Sequence, residues 1–190
     1  ASARMWWLED ILNTKDYDLD EKEISECEDS NLIFLPYLIG ERSPHNDTKI
    51  RGAFINLSAN TTKAQMSKAI MEGVSFALKD CLEIARSNGL NVKETNLCGG
   101  GARSNVWKQM IADIFDMPVN ILVTEQGPSY GAAILAMIGN NEYDSLKQAV
   151  DNIVKVSETI KPNNDKVSYY QNKYESFKKL YPLLKQLESE

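Results

Sequence analysis

Glu94-Thr95-Asn96-Leu97-Cys98-Gly99-Gly100-Gly101-Ala102-Arg103-Ser104 decides the fold. Residues 94–98 read as a strand, and it runs straight into three consecutive glycines. A helix follows. Val106, Trp107, Met110, Ile111, Ile114 and Phe115 recur at helical spacing and form one apolar stripe. Pro118 closes it. The unit then repeats. Residues 119–123 form a strand, Glu125-Gln126-Gly127-Pro128 a corner, and a second helix covers residues 129–138. Pro128 suits the first turn of that helix, where a missing N–H costs nothing. Strands alternating with helices point to an α/β domain with a layered sheet.

Working outward, residues 62–88 give the clearest helix. Thr62 and Gln65 have capping-box spacing, and Met66, Ile70, Gly73, Ala77, Cys81 and Ile84 share a face. Gly89 supplies a left-handed stop. Gly73 lowers helix propensity in mid-helix, so its use is close packing against another backbone. Upstream, Leu32-Ile33-Phe34-Leu35 is a short buried strand ended by Pro36, and residues 52–57 are a second strand. The polar loop 40–47 joins them. Residues 15–30 are acidic but lack the glycine and terminal Glu of a calcium loop, so they read as a solvated surface segment. Residues 3–12 predict a short helix with Met5, Leu8 and Leu12 on one face. A helix is expected near 144–155. A long one starts about residue 165 and is buried through Val167, Tyr170, Tyr174, Phe177, Tyr181 and Leu184. Pro182 should kink or end it.

The chain has 190 residues, which suits one domain or one lobe of something larger. Its formal charge of −6 speaks against a nucleic-acid partner, which needs clustered Lys and Arg. No apolar run has the length of a membrane span, which speaks against a membrane partner, and no signal peptide is visible. Cys27, Cys81 and Cys98 form no CxxC pair and are odd in number, so a disulfide framework is not expected. A reducing cytoplasm fits. His45 is the single histidine, which leaves a zinc site short of nitrogen ligands. The chain opens inside an apolar pattern without an initiator Met, and this predicts a piece cut from a longer protein.

Three residues without Cβ allow positive φ and let a ligand lie directly on backbone. The helix behind them offers N–H groups and a positive dipole end, which suit a phosphate or ribose. The pattern is neither a Walker loop nor GxGxxG. On the residues alone, a ligand turn and an empty tight turn are evenly matched. Gly127, with Gly131, Ala132 and Ala133 behind it, also leaves room for a close approach, by a neighbouring helix more readily than by a ligand. The Asn105 carboxamide has the donor and acceptor groups to read a purine edge. Unaided, it reads as an exposed helix residue. His45 has the chemistry of a general base, but with no partner in view it reads as structural.

At these residues the chain resembles the FGGY carbohydrate kinases. Phe34-Leu35-Pro36-Tyr37-Leu38-Ile39-Gly40-Glu41-Arg42-Ser43-Pro44-His45 is similar to the family's FLPYLxGERTPH segment, with Ser43 for Thr. Residues 52–72 resemble its second signature, with Asn56 where most members carry Gly. Gly99-Gly100-Gly101-Ala102-Arg103-Ser104 and Trp107-Lys108-Gln109-Met110 resemble its adenosine motif. Pro44-His45 and Gly127-Pro128 incline the resemblance to the branch that acts on D-xylulose.

The resemblance implies a ribonuclease-H-like lobe of the actin/hexokinase ATPase type, a mixed sheet flanked by helices. Residues 1–190 would be its C-terminal nucleotide-binding domain, with the N-terminal sugar lobe absent. ATP and Mg²⁺ are implied, with the metal ligands and catalytic base in that other lobe, so no catalytic residue and no metal ligand is expected here. The implied reaction moves the ATP γ-phosphate to D-xylulose. Another sugar or polyol such as gluconate or glycerol is the alternative, and a stand-alone nucleotide-binding or assembly module is the alternative of another class. The implied nucleotide contacts are Gly99, Gly100, Gly101, Ala102, Asn105 and Gly127. Ser2 and Trp6 join them on a helix where the family often has Gly and Gln. The implied partners are a nucleotide, a sugar and the N-terminal lobe, and a homodimer is left open. The lobe alone is expected to be inactive and to bind ADP weakly. A Gly101→Val change is expected to weaken that binding further without unfolding the helix behind it.

Overall fold

In the computed structural model, which describes residues 17–124 and 127–187, the glycine run leads from a strand of a mixed sheet towards a helix. Strand β3 (Thr95–Leu97) pairs in parallel with β4 (Val119–Leu122), from Thr95↔Val119 to Leu97↔Ile121. β4 also pairs antiparallel with β5 (Val156–Ile160), giving the order β3-β4-β5. A separate antiparallel ribbon joins β1 (Ile33–Leu35) and β2 (Ala53–Ile55). The helices are α1 (Tyr17–Glu26), α2 (Lys63–Ser87), α3 (Asn105–Phe115), α4 (Gly127–Gly139), α5 (Leu146–Ile153), α6 (Asn164–Lys178) and α7 (Leu180–Leu187).

Helix α2 is the spine. Thr62 caps it, and both bonds of the capping box form: Gln65 N–H donates to Thr62 Oγ1, and Thr62 N–H donates to Gln65 Oε1. Gly89 follows it at φ +86. Its buried face packs β1, α3 and α6 into one apolar core, with Phe34, Ile70, Phe76, Trp107, Ile111 and Phe177 at the centre. Gly73 sits where a Cβ would run into the Phe34 carbonyl oxygen, so the close packing expected of it is present.

Several expectations need correction. The acidic segment is a helix, α1, whose flanking residues are exposed while Ile24 is 1% exposed. A single anchor is enough to order a charged turn, and composition conceals it. The helix behind the glycines does not start at once. A 3₁₀ turn (Gly100–Arg103) intervenes, and Ser104 caps α3 by accepting from Trp107 N–H. Strand β5 was not expected, because four of its five residues are exposed and no apolar run marks it. The Pro182 break is where chemistry puts it. Without an N–H at 182 the Lys178 carbonyl loses its helical partner, and α6 ends at Lys178. The helix read at residues 3–12 lies outside the described residues. Among the described residues, no helix is long and apolar enough to cross a membrane.

Candidate functional site

Parallel pairing places the carboxyl ends of β3 and β4 side by side, and each empties into a glycine corner. In open α/β sheets that end of the strands is where ligands bind. Gly99 takes φ +86, in the left-handed region. A Cβ on Gly99 or Gly100 would meet no atom within 4 Å, and both residues are exposed. Their smallness relieves no clash inside the chain. It leaves the backbone bare toward open space.

Gly101 differs. A Cβ there would lie 3.3 Å from Trp107 Cε3, so Gly101 is seated on the indole. Trp107 is itself fixed, 2% exposed, with Nε1 donating to Ser75 Oγ of α2 at 3.0 Å. The Ala102 N–H turns back onto the Gly99 carbonyl at 3.0 Å, and its methyl is buried, so Ala102 can offer a ligand backbone only. Asn105, the first residue of α3, is exposed. The Ser104 cap consumes one N–H of the helix end.

The second corner meets the first through a residue the sequence did not single out. A Cβ on Gly127 (φ +49) would lie 3.9 Å from Cys98 Sγ. Cys98 is exposed, and nothing in its neighbours' types marks it, because the contact exists only through the β3–β4 pairing. The helix expected to cover Gly131, Ala132 and Ala133 is not found among the described residues, and all three are exposed. Gly99, Gly100, Gly101, Ala102 and Asn105 thus share one turn, with Gly127 beside it. Ser2 and Trp6 lie outside the described residues.

A bare strand-end turn with an exposed carboxamide at the start of the next helix leaves backbone groups and one polar side chain open to a ligand. Other hollows are less suited. The 520 Å³ cleft between α1, α2, α3 and α6 has Asp29, Lys68, Lys166 and Asp113 already engaged. Asp29 binds Lys68 at 2.8 Å and Lys166 at 2.7 Å, and Asp113 accepts from Gln109 and from the Asn163 N–H. His45 is a structural residue here: its ring stacks on Tyr181, with centroids 3.6 Å apart and planes 8° apart. Burial lowers its pKa from the ordinary imidazole value. Among the described residues, no three His, Cys, Asp or Glu side chains group as a metal site.

The FGGY family of carbohydrate kinases, C-terminal domain, matches residues 4–139. A xylulose kinase of Staphylococcus epidermidis is 40% identical over 158 residues, which are 83% of this chain and 32% of that protein. A solved xyloylose kinase from Brucella ovis superposes with a TM-score of 0.87 at 31% identity, over 98% of this chain and 39% of that one. A solved gluconate kinase from Lactobacillus acidophilus gives 0.80 at 26% identity, over 90% and 35%. The chain spans about a third of the length of the curated relatives it matches. A match over most of the chain, with the same fold, leaves one conclusion: the chain belongs to the FGGY family of carbohydrate kinases, whose actin/hexokinase-like C-terminal domain it carries.

Proposed function

We propose that residues 1–190 are the nucleotide-binding domain of a sugar kinase that transfers the ATP γ-phosphate to D-xylulose, giving xylulose 5-phosphate. The observation that carries this reading is the bare glycine corner at the carboxyl ends of β3 and β4, in a domain of a carbohydrate-kinase family. Gly99, Gly100 and Gly101 take the nucleotide on their backbone, Asn105 reads the base, Ala102 supplies its main chain, and Gly127 closes the far side. Ser2 and Trp6 border the same nucleotide. ATP supplies the transferable phosphoryl group. This chain binds and orients it, which is most of what phosphoryl transfer asks of a protein. The base toward the sugar hydroxyl and the Mg²⁺ ligands come from the remaining part of the kinase, so this chain alone binds ADP weakly and turns over nothing. The free thiols of Cys27, Cys81 and Cys98 favour a cytoplasmic setting. Xylulose is preferred to gluconate as the acceptor because the xylulose kinase relatives are the more similar in sequence.

The test uses Gly100→Val. Gly101→Val, the more obvious choice, would press a branched side chain on Trp107 and confound binding with packing. At Gly100 a Cβ meets no atom within 4 Å. ADP affinity measured by calorimetry should fall about tenfold or more, roughly 1.4 kcal/mol, with the melting temperature unchanged. Unchanged affinity in the folded variant would overturn the placement. On the intact kinase, faster turnover of gluconate than of xylulose would overturn the acceptor.

A further inference from the structure

The polar loop 40–47 is fastened to a helix far along the chain. The loop closes on itself through paired backbone bonds: Glu41 N–H donates to the Asp47 carbonyl at 2.8 Å, and Asp47 N–H to the Glu41 carbonyl at 2.7 Å. Gly40 (φ +87) leaves no room for a Cβ, which would sit 2.9 Å from the Asp47 carbonyl oxygen. The Asp47 carboxylate is then the anchor. It is 6% exposed and accepts from the backbone N–H groups of Lys49 (3.0 Å) and Ile50 (3.3 Å) through Oδ1. Through Oδ2 it accepts from Tyr181 OH at 3.0 Å and from Lys185 Nζ, both on α7. Two residues earlier, the His45 ring stacks on the same Tyr181, and Tyr37 meets both rings edge-on, at 5.6 and 6.3 Å.

The attachment is mutual. Helix α7 has no fully buried residue, and Pro182 has uncoupled it from α6. Its place on the body therefore depends heavily on Tyr181, Lys185 and the partly buried Leu180 and Leu184. The loop lies inside the stretch that the kinase family matches, whereas α7 lies beyond residue 139, where that match ends. Ile39, just ahead of the loop, is 91% exposed, and Arg42 and Ser43 within it are exposed. A rigidly held loop that keeps exposed residues at its tip is held for what they face.

We propose that α7 is a brace for loop 40–47, and that Tyr181 and Lys185 are positioning residues for phosphoryl transfer, acting through Asp47 and His45. This rests on the kinase reading above. The brace sets where the loop tip stands when the kinase closes on its substrates. Loosening it leaves the glycine corner intact, since that corner stands on β3, β4 and the start of α3, away from loop 40–47 in the chain.

Two measurements test this. Lys185→Met removes one donor from a side chain that is 46% exposed, so no cavity forms. Tyr181→Leu removes both stack and hydroxyl, and Tyr181→Phe keeps the stack. In this chain, amide exchange at Glu41 and Asp47 should quicken about tenfold in Lys185→Met and Tyr181→Leu, less in Tyr181→Phe, with α2 unchanged. In the intact kinase, kcat should fall about tenfold with ADP affinity unchanged, and Tyr181→Phe should recover part of it. Unaltered loop exchange in folded variants overturns the brace. Faster loop exchange with unaltered kcat and sugar KM overturns the positioning role, as does global unfolding of both Lys185→Met and Tyr181→Phe. An unsubstituted kinase that phosphorylates no sugar overturns the kinase reading instead, and the exchange arm still decides the brace.

Discussion

Glu72 and Lys173 form a buried ion pair in the core. Glu72 is 1% exposed in mid-α2, and its Oε2 accepts from Lys173 Nζ at 2.5 Å. Lys173 also donates to the Ser30 carbonyl at 2.8 Å, tying α6 to the chain ahead of β1. Glu72 Oε1 finds no hydrogen-bond partner. Burial pushes the Glu72 carboxyl above its ordinary value, although the Lys173 charge pulls the other way. Taking away one partner of such a pair strands a buried charge, at about 3–5 kcal/mol. Lys173→Met should therefore lower the urea-derived stability by that order, and Glu72→Leu combined with it should restore most of the loss. The pH dependence has a definite sign. A carboxyl raised in the folded state holds its proton where the unfolded chain has lost it, so its contribution weakens as pH rises above the unfolded value of 4.5. Lys173→Met should consequently look worse at pH 8 than near pH 5. Equal losses at both would mean that removing Lys173 raises the Glu72 carboxyl no further. The sequence showed Glu72 only as the end of a family signature, because its partner is 101 residues away.

At the scale of elements, what was legible was what is local. The Thr62 capping box, the Gly89 stop and the Pro182 break all act within one turn, and all are present. Strand β5 and helix α1 escaped because each owes its order to a neighbour: β5 to β4, and α1 to the pocket that takes Ile24. Gly73 joins the two kinds of information. Its cost to propensity is visible in sequence, but its reason is the Phe34 carbonyl of β1. Two effects compete in Gly73→Ala. Helix propensity alone would favour Ala by about 1 kcal/mol. Forcing a methyl against rigid backbone costs about 1–3 kcal/mol, and β1 has no flexible side chain there to give way. The collision wins, so Gly73→Ala should lower stability, with exchange quickening at β1 first. A stabilised variant would mean that β1 and α2 do not lie this close.

Across the whole molecule, burial is uneven, and the candidate site sits on its looser side. Helices α2 and α3 carry the core, whereas α4 buries only Ile134 and leaves Leu135 more than half exposed, as is Val123 ahead of it. Tyr130 OH, donating to the Ile153 carbonyl at 2.9 Å, ties α4 to α5, which itself buries only Ala149. The residue types of the glycine corners were plain in the sequence. Their meeting through Cys98 and Gly127 was not, since it requires the parallel register of β3 on β4. Segments with few buried apolar side chains open below the global unfolding energy. Amides of α4 and α5 should therefore exchange about a hundredfold faster than those of α2, a gap of about 2.7 kcal/mol. A nucleotide that spans both corners is tied to Gly127, the first residue of α4. Saturating ADP should then slow exchange in α4 and at Gly99 and Gly100 while leaving α2 unchanged. Protection confined to the first corner would remove Gly127 from the site. Exchange in α4 as slow as in α2 would show that its exposed face is covered in solution.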